Sequence, residues 1–284
     1  MNNPDIIIIG SGPAGISAAL TARNRGKSVA IITNPASTTG LFKAEQIDNY
    51  PGLPEISGAE LIESMHGHAI DAGVSFIYGR ALAATASKTG FFVSVGSDIY
   101  ECGALIIATG ISVRGVFPGE ESFLGRGVSY CATCDGMLYR NKSVTVVGLS
   151  DDAAHEANFL KNIGCEVTFF STAKTPAGLR EDIPRNIAKR FEIRGDARVE
   201  ALIADDVEYP TDAVFLLRNT IAISAMMPGI ETEGGFIFTQ SGMKTSIPGV
   251  FAAGDCTGTP YQIAKAVGEG NIAALSAAEY LDTK

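Results

Sequence analysis

The sequence is short of positive charge: 22 lysines and arginines face 31 aspartates and glutamates, a formal net charge of −9. A nucleic-acid binder needs a basic surface to neutralise phosphates, so that class is excluded. Long apolar runs are missing too. The longest aliphatic stretch near the start, Ile6 to Ile9, is far below the ~20 residues that span a bilayer. No basic segment with a small-residue cleavage site precedes it, so no secretory signal and no membrane association are expected, and the expected location is cytoplasmic. Cysteines are few and odd in number: Cys102, Cys131, Cys134, Cys165 and Cys256. That is not a secreted disulfide framework.

What is present suits a globular α/β enzyme. The chain has 284 residues, about twice the ~150 of one domain, so two domains are expected. Hydrophobic residues at 46% against charged residues at 19% exclude intrinsic disorder. Glycine is abundant, with 32 residues, which points to several tight backbone sites.

Ile6 to Ile9 reads as a buried parallel strand running into Gly10-Ser11-Gly12-Pro13-Ala14-Gly15. A helix over about 16–25 and a second strand over 28–33 follow. Gly10 allows the turn, Gly12 lets a pyrophosphate approach the backbone, and Gly15 lets helix and strand pack closely. The phosphates then meet the helix N-terminus. The acid expected after the second strand is absent, replaced by Thr33 and Asn34, which fits some FAD proteins better than an NAD protein. The pattern begins again with a strand at 143–147, a turn at Gly148, a helix at 153–163 and a strand at 166–170. Further strands are expected at 75–78, 91–95, 98–101 and 104–108, with a final helix over 261–280.

Cys131-Ala132-Thr133-Cys134-Asp135 is the second constellation. Two cysteines two residues apart can close a small redox disulfide, especially where a helix start lowers one thiol's pKa. The alternative is half of a zinc site, but Cys102, Cys165 and Cys256 form no second pair, and no metal is expected. Asp135 beside the pair is either a solvated acid or a proton donor to a departing thiolate.

Together these residues resemble the low-molecular-weight thioredoxin reductases over nearly the whole chain. The likeness includes Asn49-Tyr50-Pro51-Gly52, Ala108-Thr109-Gly110, Gly125-Arg126-Gly127-Val128-Ser129, the cysteine block through Gly136, and Thr245 to Asp255. The resemblance implies two Rossmann-like, doubly wound, three-layer domains, the second inserted into the first. Residues 1–113 and 222–284 would bind FAD, and 114–221 would carry the disulfide on a degenerate NADPH-type fold. It implies a homodimer in which Gly10 to Gly15 hold the pyrophosphate. Asn49, Thr109 and Gly110 would lie by the cofactor, Gly254-Asp255 at the ribitol, and the helix start Gln262-Ile263-Ala264 at the isoalloxazine. Cys134 would face the flavin, Cys131 would attack the thioredoxin disulfide, and Asp135 would be the acid/base.

The second nucleotide turn departs from the family's pattern. It reads Gly148-Leu149-Ser150-Asp151-Asp152-Ala153, so Ser150 replaces the middle glycine and two acids sit where phosphates would bind. Relatives carry His-Arg-Arg after the second strand; here Ser171-Thr172-Ala173 stand there, with Ala177 at the distal arginine position. NADPH is therefore not the expected donor. The chain most resembles the ferredoxin-dependent flavin thioredoxin reductases, which share the Cys256 to Gln262 stretch, and reduced ferredoxin is the expected donor. Two rivals stay open: an NAD(P)H- or deazaflavin-dependent disulfide reductase, and a non-enzymatic flavin-binding regulatory protein. The segment Lys174 to Arg198, with seven basic residues against four acids, is the candidate ferredoxin-docking region, the alternative being an ordinary solvated helix face.

Overall fold

Four consecutive isoleucines need apolar cover on both faces of a strand, and Ile6–Ile9 form strand β1 with none more than 5% exposed. The structure, a computed structural model, describes residues 3–35, 39, 41–110, 117–120, 122–150, 152–173, 176–218 and 223–284. Asp151, Lys174 and the expected domain borders at 113/114 and 221/222 lie outside the described residues. The chain divides into two compact units, residues 1–114 with 226–284, and residues 115–225.

In the first unit β1 leads into α1 (Pro13–Asn24) and β2 (Val29–Thr33), then α2 (Gly58–Asp71) and β3 (Ser75–Tyr78). An antiparallel ribbon of β4 (Ala81–Ala86), β5 (Phe91–Val95) and β6 (Asp98–Cys102) precedes β7 (Ala104–Ile107). Helix α1 begins three residues earlier than its composition predicts, because Pro13 is accommodated in the first turn, where its missing N–H costs nothing. Helix α2 opens with a reciprocal capping box between Ser57 and Glu60.

The second unit holds β8 (Val128–Ser129), α3 (Ala132–Asp135), β9 (Ser143–Leu149), α4 (Ala153–Asn162) and β10 (Glu166–Ser171). Then come β11 (Arg185–Ile187), β12 (Phe191–Gly195), β13 (Val199–Ala204), β14 (Val207–Pro210) and β15 (Ala213–Arg218). Its parallel sheet has the order β11-β10-β9-β15-β8, and β12-β13-β14 form a separate antiparallel sheet. Residues 185–195 are thus strands, not a helix face: Phe191 and Ile193 alternate inward with Glu192 and Arg194 outward. Near the unit's two ends, buried Glu120 and Arg218 form an ion pair. Tyr130 donates its hydroxyl to Glu120 at 2.9 Å, and the Phe117 N–H reaches the same carboxylate at 2.8 Å.

After a short helix α5 (Ile223–Met226), the hairpin β16 (Thr232–Glu233) and β17 (Phe236–Ile237) turns at Gly234-Gly235. Strand β18 (Val250–Ala252) and helix α6 (Ile263–Asp282) complete the first unit, whose parallel sheet has the order β18-β7-β1-β2-β3. Ile6, Ile8, Ile31 and Ile106 pack with the alanine faces of α1 and α6 in one core. Small residues let those helices approach closely: a Cβ on Gly270 would stand 2.1 Å from the Ala14 carbonyl oxygen. No helix among the described residues is long and apolar enough to cross a membrane.

Candidate active site

The first unit gathers its predicted residues at the carboxyl ends of β1, β7 and β18, the edge where open parallel sheets take ligands. Gly10 has φ +109, and a Cβ there would lie 2.2 Å from the Ala108 carbonyl oxygen. A Cβ on Gly15 would lie 1.9 Å from the Gly10 carbonyl oxygen, so both glycines are fixed by packing. Gly12 is different. Its φ of −72 suits any residue, and no atom lies within 4 Å of where its Cβ would be. The start of α1 has no side-chain cap and no acid in its first turn, and nearby the buried Thr109 hydroxyl has no hydrogen-bond partner. An uncapped helix start, open backbone and an orphaned hydroxyl fit a phosphate-bearing cofactor.

Ser11 faces the protein. Its hydroxyl bonds Thr33 Oγ1 at 2.6 Å, and its carbonyl meets His66 Nε2 at 2.9 Å. Thr33, standing where an acid was expected, is thereby occupied in holding the turn. Asn49 donates to the Gln262 side-chain oxygen at 2.8 Å, joining two predicted residues 213 positions apart. Gln262 is extended and precedes α6, so that helix begins at Ile263 rather than 261. Burial raises the Asp255 carboxyl above its usual range, with Lys265 opposing and Glu269 reinforcing the shift. Lys265 donates to the carbonyls of Gly254 (2.9 Å) and Gly258 (2.7 Å), and Glu269 accepts the Gly254 N–H at 2.8 Å. Sequence reasoning missed this clasp, although a Lys–Glu pair four residues apart on a helix was a readable signal.

In the second unit Cys131 and Cys134 form a disulfide with Cα atoms 5.3 Å apart. Cys131 precedes α3, and its Sγ accepts the Cys134 N–H at 3.2 Å. That places the sulfur where helix N–H groups favour a thiolate after reduction. Cys131 is 7% exposed, whereas Cys134 is open to solvent. The Ser129 hydroxyl accepts the Cys131 N–H at 3.1 Å and donates to Asp135 at 2.7 Å, tying the acid to the backbone of the pair. Glu156, from α4, accepts the Ala132 N–H at 2.8 Å. Sequence reading quoted Ser129 only as part of a family stretch, without a role, and missed Glu156, because only the fold brings Glu156 here. The remaining cysteines are buried, and burial pushes the Cys102 and Cys256 thiols up to about 12. They stay protonated and inert.

The second glycine turn differs from the first at its middle position, where Ser150 replaces a glycine. A Cβ on Gly148 would lie 2.2 Å from the Phe169 ring, so this glycine serves packing. Ser150 donates its hydroxyl to Asp152, the residue preceding α4. In the basic segment Arg180 pairs with Asp182, Arg190 with Asp205 and Asp206, and Arg194 with Glu192. Arg185 is turned onto the carbonyls of Leu179 and Arg180. Three of the seven basic residues are therefore ion-paired.

The sequence profile of the pyridine nucleotide-disulphide oxidoreductases matches residues 4–270. The chain belongs to that family. A thioredoxin reductase of Treponema pallidum is 34% identical, with 98% of this chain and 97% of that protein aligned. A crystal structure of a ferredoxin-flavin thioredoxin reductase from Clostridium acetobutylicum superposes with a TM-score of 0.91 at 37% identity, covering 100% of this chain and 99% of that one. A second crystal structure of such a reductase from the same organism gives 0.87 at 40% identity, covering 99% of both chains. These likenesses span both units and support the reading of two Rossmann-like folds, the second inserted into the first.

Proposed function

We propose that this chain is a flavoprotein thioredoxin reductase that draws electrons from reduced ferredoxin rather than NADPH. The observation that carries the disulfide chemistry is the Cys131–Cys134 bond at the start of α3, with Asp135 held beside it by Ser129. The choice of donor rests on Ser150, bonded to Asp152, at the middle position of the second turn, and on Ser171-Thr172-Ala173 and Ala177 where relatives carry basic residues. FAD, when bound, supplies a carrier that takes electrons singly and delivers them as a pair.

In this reading residues 1–113 and 222–284 hold FAD and residues 114–221 carry the disulfide. The N–H groups of Ala14 and Gly15 hold the pyrophosphate, Gly12 leaves it room, and the Thr109 hydroxyl gains its missing partner. Asp255 takes the ribitol, and Asn49, Gln262, Ile263 and Ala264 border the isoalloxazine. Cys134 is the sulfur toward the flavin. Reduction of the pair by two electrons and two protons leaves two thiols, and the Cys131 thiolate then attacks the thioredoxin disulfide. That attack forms the Cys131–thioredoxin disulfide and releases one thioredoxin thiolate, which takes up the proton Cys131 gave up. Cys134 then passes its proton to Asp135 and attacks Cys131, re-forming the pair and releasing the second thioredoxin thiolate, which Asp135 protonates. Cys131 is buried in the oxidised state, so it must be uncovered before that attack. The functional unit is a homodimer, which light scattering on the purified protein checks.

The test compares anaerobic reduction of the flavin by reduced ferredoxin, a reduced deazaflavin, NADPH and NADH. Ferredoxin should bleach the flavin and drive thioredoxin reduction, and NADPH should leave it yellow. Fast bleaching by NADPH would remove ferredoxin from the proposal. A colourless protein that takes up no FAD would remove the flavin itself. Cys131→Ser and Cys134→Ser should each abolish turnover, and only Cys134→Ser should trap thioredoxin as a mixed disulfide.

A further inference from the structure

In the second unit the first turn of α4 has been put to use by the redox pair. Ala132 is fully buried and directly follows Cys131, and its N–H is one of the unsatisfied donors at the start of α3. Glu156 takes that N–H at 2.8 Å, while the Cys131 sulfur takes the Cys134 N–H. We propose that Glu156 is a positioning residue for the redox pair, fixing the start of α3 and opposing ionisation of the Cys131 thiol through its charge. This rests on the reading of Cys131 and Cys134 as the working pair, but it requires neither a particular donor nor a particular substrate.

The physical basis is a competition. A helix start favours a thiolate, because its N–H groups point at the sulfur. A carboxylate bonded to one of those N–H groups withdraws that donor and places a like charge one residue from the sulfur, which disfavours the thiolate. Other groups also face Cys131 within the unit. Asp135 lies on α3, held by Ser129, and the neutral Thr133 hydroxyl is 3.3 Å from the sulfur. Asp135 acts in the same direction as Glu156, so variants at Glu156 are compared with Asp135 intact.

The experiment is a redox titration of the whole protein in dithiothreitol buffers between about pH 5.5 and 9.5, trapping free thiols with a maleimide and reading the Cys131/Cys134 peptide by mass. Below the first thiol's pKa two protons accompany the electron pair, and above it one does. The break in the plot of midpoint against pH therefore reports that thiol. Glu156→Gln keeps the acceptor and removes the charge. It should raise the thiol's acid dissociation constant roughly three- to tenfold, moving the break to lower pH, without lowering the melting temperature. Glu156→Ala should move the break further and lower the melting temperature, because a buried N–H loses its partner. A break in Glu156→Gln that coincides with wild type, or moves to higher pH, would overturn the proposal. A wild-type pair that does not titrate reversibly would overturn the redox reading itself and this inference with it.

Discussion

The chain builds the same strand–turn–helix–strand unit twice, and the two turns have opposite interiors. At the first, the space beside Gly12 is empty and the start of α1 is uncapped. At the second, Ser150 stands where the first has Gly12 and bonds Asp152 before α4, while Gly148, like Gly10, is fixed by packing, here against the Phe169 ring. Topology alone does not make a nucleotide site, because glycine can be kept either to admit a ligand or to admit a neighbouring ring. What separates the two turns is the middle position, open at Gly12 and taken by the Ser150 side chain in the second.

Four substitutions test that contrast. Gly12→Val adds a side chain into open space, so the fold should hold while FAD affinity falls roughly a hundredfold, the loss of one or two charge-assisted hydrogen bonds. Flavin absorbance after gel filtration, alongside melting of the apoprotein, separates the two effects. Retained FAD would mean the phosphates lie elsewhere. Gly148→Ala has the reverse signature: overpacking against Phe169 should cost about 1–3 kcal/mol and lower the melting temperature by several degrees, with flavin content unchanged. Ser150→Gly combined with Asp152→Thr removes the charge at α4 without restoring any arginine. NADPH-driven bleaching should rise by no more than about tenfold, the scale of a helix-terminus charge effect.

The smallest effect belongs to Asp255. Burial raises its folded-state pKa above the ordinary aspartate range, so the ionised form is the disfavoured one in the apoprotein. At neutral pH, apo Asp255→Asn should be slightly more stable than wild type. The gap should close as pH falls through the raised pKa and the wild-type carboxyl protonates. The residue is only partly buried, so the difference is modest, and paired denaturant melts at pH 7 and pH 4 measure it. A gap that widens toward acid would reverse the assignment.

The first turn was legible because each of its signals is local: β-branched residues before it, alanines after it, glycines at fixed spacing. The cysteine pair was legible for the same reason. The stretch from Arg185 to Arg218 was not, because its charged residues drew attention from the alternation of Phe191, Ile193, Val199 and Ala201 that makes strands. Ion pairs at that sheet also engage Arg190 and Arg194, two of the charges that looked like a docking patch. Glu156 was hidden for another reason. Its partner Ala132 lies 24 positions away and carries no side-chain polarity, so nothing in the residue types announces the bond. Ser129 had a nearer signal, since a serine two residues before the first cysteine is placed to bond its N–H.

The ion pair between Glu120 and Arg218 has a genealogical consequence. It joins the first described turn of the second unit to its last strand, so the ends of that unit meet at one buried point. A module whose ends meet can be spliced into a host loop without stretching either fold, and can diverge while the host keeps its shape. This geometry lets the second unit change its turns and helices while the ends that tie it into the chain stay where they are.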